Sequence, residues 1–155
     1  MHALRIGDVD LHCESVGCIR RGLLRSVAVD VGDAPNGRGF WFPCTLVEAS
    51  NDDRVAREEV FGPVAALIPF ADEDEAIRIA NDTPYGLSGS IWTENGGRAL
   101  RVARALETGV LSINSNSSVR PTTPFGGFKQ SGFGRELGLH ALEGYSEVKN
   151  VFLAV

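Results

Sequence analysis

Three short segments in the middle of the chain are rich in apolar residues. Residues 64–68 form a continuous apolar run, as expected of a strand that is covered on both faces. Residues 87–92 and 110–113 are of similar length and are also interpreted as strands. All three are shorter than an ordinary helix, so the pattern predicts strands in each place.

The two segments between these strands have the spacing of amphipathic helices. Apolar side chains recur three and four positions apart in residues 72–81 and again in residues 97–107. Asp72 is a suitable N-cap, with Glu75 three residues later as in a capping box, and Gly109 suits the end of the second helix. The order strand, helix, strand, helix, strand predicts an α/β fold with a parallel βαβαβ core.

The pattern is less regular on either side of this unit. Residues 40–47 are interpreted as an extended segment, and residues 114–134 as a long loop rich in serine, threonine, proline and glycine. Residues 135–144 resemble a short helix, and the apolar residues 151–155 predict a terminal strand. Residues 1–38 give only weak signals.

Composition is that of an ordinary globular protein with one domain. The 155 residues carry a net charge of −5 and no basic block, which argues against nucleic acid as a partner. No apolar run approaches the roughly 20 residues of a membrane span, and no signal peptide is recognised. The odd number of cysteines then favours reduced thiols, so we expect a cytoplasmic protein without membrane contact.

Metal binding is not expected from the cysteines. Cys13 and Cys18, with His12 nearby, form one short Cys-x₄-Cys pair without a second pair, which is too little to predict a metal site. Cys44 is interpreted as a structural residue.

Two motifs carry a resemblance to a known family. Residues 58–64 read Glu-Glu-Val-Phe-Gly-Pro-Val, and residues 124–136 read Pro-Phe-Gly-Gly-Phe-Lys-Gln-Ser-Gly-Phe-Gly-Arg-Glu. In this order and at this distance they resemble the C-terminal part of NAD(P)-dependent aldehyde dehydrogenases. The resemblance implies oxidation of an aldehyde to a carboxylic acid with NAD or NADP. In that reaction a cysteine thiolate attacks the carbonyl, and a glutamate-activated water later hydrolyses the thioester.

The resemblance also implies an organisation of the chain. Residues 1–38 match poorly and are interpreted as an eroded N-terminal segment, whereas residues 39–145 correspond to part of the catalytic domain. Residues 146–155 resemble the oligomerisation strand of the family, which pairs across subunits. This strand implies a homo-oligomer or association with an intact aldehyde dehydrogenase subunit. Arg135 and Glu147 are expected to support packing near that interface.

Five residues match site positions of the family. Glu59 matches the glutamate that hydrogen-bonds the nicotinamide-side ribose, and Phe61 matches the aromatic residue beside the nicotinamide. Phe125 matches an aromatic residue of the aldehyde pocket, and Ser117 and Val119 fall in the variable loop that shapes substrate choice. Without the family, the same residues would be interpreted as a solvated strand boundary, a core aromatic residue and an exposed loop.

The glycines of the second motif are expected to shape a loop rather than to bind phosphate, because the GxGxxG spacing fails at Leu137. No nucleophile of the Gly-Gln-x-Cys type is present, and the family's general-base glutamate and dinucleotide-binding domain are also missing.

Three interpretations stay open: a truncated protein without activity of its own, half of a split enzyme, or a non-catalytic module that associates with intact subunits. The isolated chain is expected not to oxidise aldehydes and to bind NAD weakly. Residues 64–114 would also lack flanking strands, which predicts self-association through an open sheet edge.

Overall fold

The computed structural model describes residues 2–6, 9–13, 26–29, 35–40, 42 and 44–155. Within these residues, the strands are β1 (His2–Ile6), β2 (Val9–Cys13), β3 (Ser26–Val29), β4 (Cys44–Glu48), β5 (Val64–Leu67), β6 (Ser88–Thr93) and β7 (Val110–Ile113). The α-helices are α1 (Arg54–Arg57), α2 (Glu73–Asn81), α3 (Gly96–Ala105) and α4 (Ala141–Gly144). Two 3₁₀ turns cover Pro35–Gly37 and Lys129–Ser131.

The described strands form one mixed sheet, in the order β3-β4-β5-β1-β2-β6-β7. Strands β4, β5, β1, β6 and β7 run in one direction, and β2 and β3 run in the opposite direction. The predicted α/β class and the shared direction of β5, β6 and β7 are therefore confirmed. However, β5 and β6 are not neighbours, because the β1–β2 hairpin lies between them.

This hairpin corrects one expectation. The prediction that residues 64–114 lack flanking strands is wrong for β5 and β6, because β4 and β1 pair with β5 and β2 pairs with β6, whereas β7 lies at an outer edge of the described sheet. The outer strands of the described sheet are β3 and β7. The flanking strands come from N-terminal residues whose own apolar pattern is weak, so the pairing is a tertiary feature that local periodicity does not reveal.

Helices α2 and α3 cover one face of the sheet. Helix α2 connects β5 to β6 and α3 connects β6 to β7, and the two strands of each pair run in the same direction. Both connections move along the sheet in the same sense, so right-handed crossovers place both helices on one face. The predicted N-cap of α2 is confirmed, because the Asp72 carboxylate accepts the Glu75 N–H at 2.9 Å and so satisfies a donor that the first turn leaves unpaired. The Glu75 side chain reaches back to the N–H of Ala71, the residue before the N-cap, at 2.8 Å.

One carboxylate joins the two helices. Glu73 accepts hydrogen bonds from Arg101 at 2.6 and 2.7 Å and from Arg98 at 3.2 Å. The hydrogen bond from Arg101 is the main cause that lowers the pKa of the Glu73 carboxyl. The Arg98 and Arg101 side chains on α3 thereby hold the first turn of α2 in place.

The core between helices and sheet is built mainly from small residues. Its buried members are Ala49, Ala56, Ala66, Ile68, Ala76, Ile79, Ile91 and Val102. Ile91 and Val102 are the largest completely buried side chains among the described residues. Alanines let the helices approach the sheet closely, but each buries little apolar area and so contributes little stability.

The predicted helix at residues 135–144 is wrong for most of its length. The α-helix covers only Ala141–Gly144, and residues 135–136 are extended. Leu137 (φ 59) and Gly138 (φ 57) both adopt left-handed backbone, which a right-handed helix cannot contain. The turn at these two residues separates α4 from the preceding loop.

The terminal strand is likewise not formed within this chain. Residues 146–155 have no regular secondary structure, and the side chains of Val151, Phe152 and Leu153 are 77–87% exposed. An apolar run becomes a strand only when another strand supplies the pairing ladder. Pairing of this segment with a second subunit stays a prediction.

Candidate functional site

The connector, residues 58–63, leads from α1 to β5 and carries two of the predicted site residues. Glu59 is exposed, and Phe61 is 91% exposed with a left-handed backbone (φ 47). That backbone is uncommon for a bulky aromatic residue and turns the chain before β5. The connector ends where the Thr45 N–H donates to the Pro63 carbonyl at 2.8 Å, which begins the pairing of β4 with β5. Glu59 and Phe61 therefore lie at the amino end of β5.

A cluster of charged and polar groups fixes the start of the connector. Arg57, the last residue of α1, donates to the Asp82 carboxylate at 2.8 Å, to the Asp82 carbonyl at 2.7 Å and to Asp52 at 3.1 Å. Asn51 donates to the same Asp82 carboxylate at 2.6 Å. The hydrogen bond from Arg57 lowers the pKa of Asp82, and it also raises the pKa of Arg57. Since Asp82 is the C-cap of α2, the cluster joins the connector to the helical layer.

The loop after β7 begins with Asn114, whose side chain pairs with the backbone at the end of β6. Asn114 (φ 52) accepts the Thr93 N–H at 2.8 Å and donates to the Thr93 carbonyl at 2.9 Å. Ser117 and Val119 follow and are exposed, and Arg120 donates to the Ser117 hydroxyl at 3.2 Å and to the Val119 carbonyl at 3.0 Å. These two predicted pocket residues thus follow the carboxyl end of β7.

The same loop then returns to the amino end of β7. Phe125 is half-buried, and its N–H and carbonyl both pair with the backbone of Glu136 at 2.7 Å. Gly126 lies directly against Gly109, the residue before β7, so closely that a Cβ on Gly109 would collide with the Gly126 carbonyl. Phe125 is therefore held beside the amino end of β7, away from Ser117 and Val119.

The docked loop, residues 127–135, is anchored by one lysine. The Lys129 ammonium group sits at the carboxyl end of α2, where it contacts the Asn81 carbonyl at 2.6 Å, the Thr83 carbonyl at 3.2 Å and the Glu107 carboxylate at 2.7 Å. A cation is favoured at this end of a helix, whose last carbonyls lack partners within the helix.

Further contacts hold the docked loop against the amino end of β6. The Gly86 carbonyl accepts the Phe128 N–H at 2.7 Å, and the Gly86 N–H donates to the Ser131 hydroxyl at 2.9 Å. Arg135 lies over the Phe128 ring, 5.3 Å from its centre, and donates to the Gly127 carbonyl at 3.0 Å. These contacts agree with the expectation that the glycine motif shapes a loop. Arg135 acts inside that loop.

An open depression of about 490 Å³ lies over the docked loop. It is lined by Glu107, Gly127, Phe128, Lys129, Gly132, Phe133, Gly134 and Arg135. None of the five predicted site residues lines it. Its two cationic side chains already have partners: Lys129 contacts carbonyls and the Glu107 carboxylate, and Arg135 donates to the Gly127 carbonyl.

Glu59, Phe61 and Phe125 lie at one edge of the sheet and Ser117 and Val119 follow the opposite end of β7, so the predicted site residues do not meet. Glu59 and Phe61 precede β5, whereas Phe125 lies beside β7, and three strands separate β5 from β7. Adjacent strands are about 4.8 Å apart, which places Phe125 roughly 19 Å from Glu59 and Phe61 along the sheet edge. The structure therefore brings Glu59 and Phe61 together and keeps both of them apart from Phe125.

Other kinds of site are not found in the described part of the chain. No group of three or more histidine, cysteine, aspartate and glutamate side chains is arranged there to hold a metal ion. None of its helices is long and apolar enough to cross a membrane. Cys44 is an exposed free thiol at the start of β4. The Cys13 side chain and Cys18 lie outside the described residues.

The sequence matches a family model, and the fold matches solved enzymes. The model of the aldehyde dehydrogenase family matches residues 19–151. The chain belongs to the aldehyde dehydrogenase family. An aldehyde dehydrogenase of Emericella nidulans is 45% identical over 121 residues, which are 77% of this chain and 24% of that protein.

Solved structures of aldehyde dehydrogenases agree. The indole-3-acetaldehyde dehydrogenase AldA of P. syringae, solved as a mutant with NAD+ and IAA, is 41% identical with a TM-score of 0.77. The match covers 85% of this chain and 27% of that one. An aldehyde dehydrogenase of Mycobacterium tuberculosis complexed with NAD+ is 39% identical with a TM-score of 0.73, covering 83% of this chain and 27% of that one. The chain thus spans about a quarter of the length of these relatives.

Sequence reasoning missed the residues that position the site. Lys129 belongs to the recognised motif, but its position at the end of α2 depends on tertiary contacts. The Arg57–Asp82 pair was equally hidden, because the two residues are separated by β5 and α2. Local sequence carried no signal for either contact, because each joins residues that are far apart in the chain.

Proposed function

We propose that this chain supplies the C-terminal part of an aldehyde dehydrogenase site and carries out no dehydrogenation by itself. The observation that supports the proposal most directly is the exposed connector at the amino end of β5, with Glu59 and Phe61 both accessible. Family membership and the limited span of the match support the same interpretation.

In this proposal the connector binds the nicotinamide end of NAD or NADP. Glu59 accepts hydrogen bonds from ribose hydroxyls, for which a carboxylate is well suited because both oxygens are acceptors only. Phe61 packs beside the nicotinamide ring. The NAD+ present in solved relatives supports this cofactor class. Contacts to the adenine and pyrophosphate are assigned to polypeptide outside these 155 residues.

The aldehyde side of the proposed site is formed by the loop after β7. Phe125 supplies an apolar wall whose position is set by its backbone pairing with Glu136. Ser117 and Val119 contribute to substrate choice from the exposed beginning of the same loop. The nucleophile and the general base are assigned to another polypeptide segment, since no Gly-Gln-x-Cys motif occurs in the sequence.

An activity assay tests the proposal. The purified 155-residue chain is incubated with NAD or NADP and a panel of aliphatic and aromatic aldehydes, and formation of the reduced nicotinamide is followed by absorbance. We expect no turnover above buffer, with Cys44→Ala giving the same result. Turnover that stays with the chain through successive purification steps and is lost in Glu59→Gln would contradict the proposal.

We also propose that residues 146–155 join this chain to a second copy or to an intact aldehyde dehydrogenase subunit. The proposal is supported by the exposure of Val148, Val151, Phe152, Leu153 and Val155, an apolar row that can pair with a strand of another chain. Sedimentation velocity over a concentration series, and co-purification with a tagged full-length relative, are compared with and without residues 146–155. Association that disappears with the deletion supports the proposal. A monomer at every concentration, together with no co-purification, contradicts it.

A further inference from the structure

Two asparagine–glycine pairs occupy different structural settings in this chain. The first, Asn36–Gly37, lies in the short 3₁₀ turn before β4, and both residues are exposed. Asn36 (φ 61, ψ 21) and Gly37 (φ 62) both have left-handed backbone. A Cβ placed on Gly37 would meet nothing within 4 Å, and no described residue forms a hydrogen bond with the Asn36 carboxamide.

The second pair, Asn95–Gly96, starts a helix. Asn95 is the N-cap of α3, and its carboxamide oxygen accepts the Arg98 N–H at 2.9 Å. Its own N–H donates to the Thr93 hydroxyl at 3.1 Å, and its carbonyl accepts the Ala99 N–H at 2.9 Å. The side chain of Asn95 is therefore held in place, in contrast to that of Asn36.

We propose that Asn36 is a site of spontaneous deamidation and that the N-cap contacts of Asn95 protect it from the same reaction. The deprotonated backbone nitrogen of Gly37 attacks Cγ of Asn36, a C–N bond forms, and the side-chain nitrogen leaves as ammonia. Water then adds to one of the two carbonyls of the resulting five-membered imide and opens it. The product is aspartate or isoaspartate, and no oxidant or reductant takes part.

The difference between the two sites follows from what must move. Attack requires the carboxamide carbon to swing towards the nitrogen of the next residue, so the Asn side chain and ψ angle both have to rotate. At Asn36 the side-chain rotation breaks no hydrogen bond to the described residues, rotation about ψ opens only a short exposed 3₁₀ turn, and the absent side chain of Gly37 leaves the nitrogen accessible. At Asn95 the rotation breaks the N-cap bond to Arg98 and frees the first turn of α3.

The modification changes the segment that leads into β4. Each conversion adds one negative charge to a chain whose net charge is already −5. The isoaspartate product also lengthens the main chain by a methylene group, directly before the exposed Phe40 and Phe42. The altered turn would therefore change how these aromatic residues are presented at the amino end of β4.

Peptide mapping of the aged protein tests the proposal. The purified chain is incubated at body temperature in mildly alkaline buffer, and peptides containing each asparagine are quantified by mass spectrometry over time. We expect Asn36 to convert roughly tenfold faster than Asn95, since the N-cap bond must break before Asn95 reacts. Labelling with protein L-isoaspartyl methyltransferase and radioactive S-adenosylmethionine is expected on the Asn36 peptide. Equal rates at the two sites, or an unlabelled Asn36 peptide, would overturn the proposal.

Unfolding and substitution show whether the fold causes the difference. In concentrated urea both pairs lose their settings, so the two rates are expected to converge. A ratio that persists in urea would mean that neighbouring sequence controls the reaction, and the proposal would fail. Gly37→Ala is expected to slow conversion at Asn36 severalfold, because the new Cβ hinders attack. The matched variant Gly96→Ala is expected to leave the Asn36 rate unchanged, and an equal slowing by both variants would also overturn the proposal.

Discussion

Phe61 and Phe125 are aromatic residues beside amino ends of strands in the same sheet, yet their surroundings differ. Phe61 is 91% exposed in a left-handed backbone, whereas Phe125 is half-buried and paired with Glu136 through two 2.7 Å hydrogen bonds. The chain thus fixes the position of Phe125 by itself and leaves the nicotinamide side of the proposed site open. Completion of the nicotinamide side then depends on a ligand or on further polypeptide.

The physical origin of this difference is the number of tertiary contacts. The docked loop next to Phe125 is held by Lys129, by Ser131 and by the close packing of Gly126 on Gly109. The connector is tied at its two ends, by the Arg57–Asp82 pair before it and by Thr45 at Pro63. The residues between these two contacts are exposed to solvent, so their conformation depends on their neighbours in the sequence.

The largest expected effect comes from filling the contact behind Phe125. In Gly109→Ala the new Cβ collides with the Gly126 carbonyl, a backbone atom that cannot move aside cheaply. We expect the free energy of unfolding to fall by about 3 kcal/mol, measured by urea denaturation. Gly144→Ala is the matched control, because a Cβ there meets nothing within 4 Å. Equal stability of the two variants would show that Gly126 is not packed on Gly109 as described.

The next largest effect is expected at the lysine anchor. Lys129→Met keeps the length of the side chain but leaves the Asn81 and Thr83 carbonyls without their donor. Loss of hydrogen bonds to a charged group should lower the free energy of unfolding by about 2 kcal/mol. Arg38→Met, at an exposed position whose side chain has no described partner, should have no measurable effect. If the two substitutions lowered the free energy of unfolding equally, Lys129 would not be the residue that holds the docked loop in place.

The elements that could be predicted from sequence are those with local patterns. Strand β7 has its predicted bounds, and helices α2 and α3 begin within one residue of the predicted positions, because capping residues and helical spacing are properties of short segments. The family motifs also single out Glu59, Phe61 and Phe125, whose roles stay predictions.

The features that could not be predicted depend on distant partners. Insertion of the β1–β2 hairpin between β5 and β6 is decided by sheet pairing, and α1 has only four residues, too few to show a helical period. Residues 151–155 have a strand-like composition but form no strand, since none pairs with them within the described chain. The separation of Phe61 from Phe125 likewise follows from strand order, which local patterns do not encode.

A smaller, pH-dependent effect is expected at the start of the connector. The hydrogen bond from Arg57 lowers the pKa of Asp82 below its ordinary value near 3.8. A carboxyl whose pKa is lowered in the folded state stabilises the protein above that ordinary value, and the contribution is lost as the pH falls through the folded pKa. Asp82→Asn should therefore lower the melting temperature near neutral pH, and the difference from the parent should shrink in acid.

The control for this pH effect is Glu94→Gln, which alters an exposed carboxylate outside the proposed association segment. Its melting temperature should follow that of the parent at every pH. A deficit of Asp82→Asn that stayed constant into strong acid would mean that the Arg57–Asp82 pair does not tie the connector to α2.

The smallest effect is expected within the connector itself. Phe61→Gly removes an exposed ring and relieves the left-handed backbone, but it also increases the entropy of the unfolded chain. These changes largely offset each other, so the free energy of unfolding should change by no more than about 0.5 kcal/mol. Phe125→Ala, in contrast, should cost more than about 1 kcal/mol, because its ring is half-buried. A larger loss of unfolding free energy in Phe61→Gly than in Phe125→Ala, measured by urea denaturation, would contradict the comparison between these two residues.

Calorimetric titration of the isolated chain with NAD tests the central claim most directly, because it asks whether the connector can bind NAD without further polypeptide. The connector offers contacts to one end of the dinucleotide, and an incomplete site binds weakly when most of its contacts are missing. The account predicts no saturable heat at micromolar concentrations, with Glu59→Gln indistinguishable from the parent. A micromolar dissociation constant that weakens markedly in Glu59→Gln would contradict it, since these 155 residues would then form a complete cofactor site.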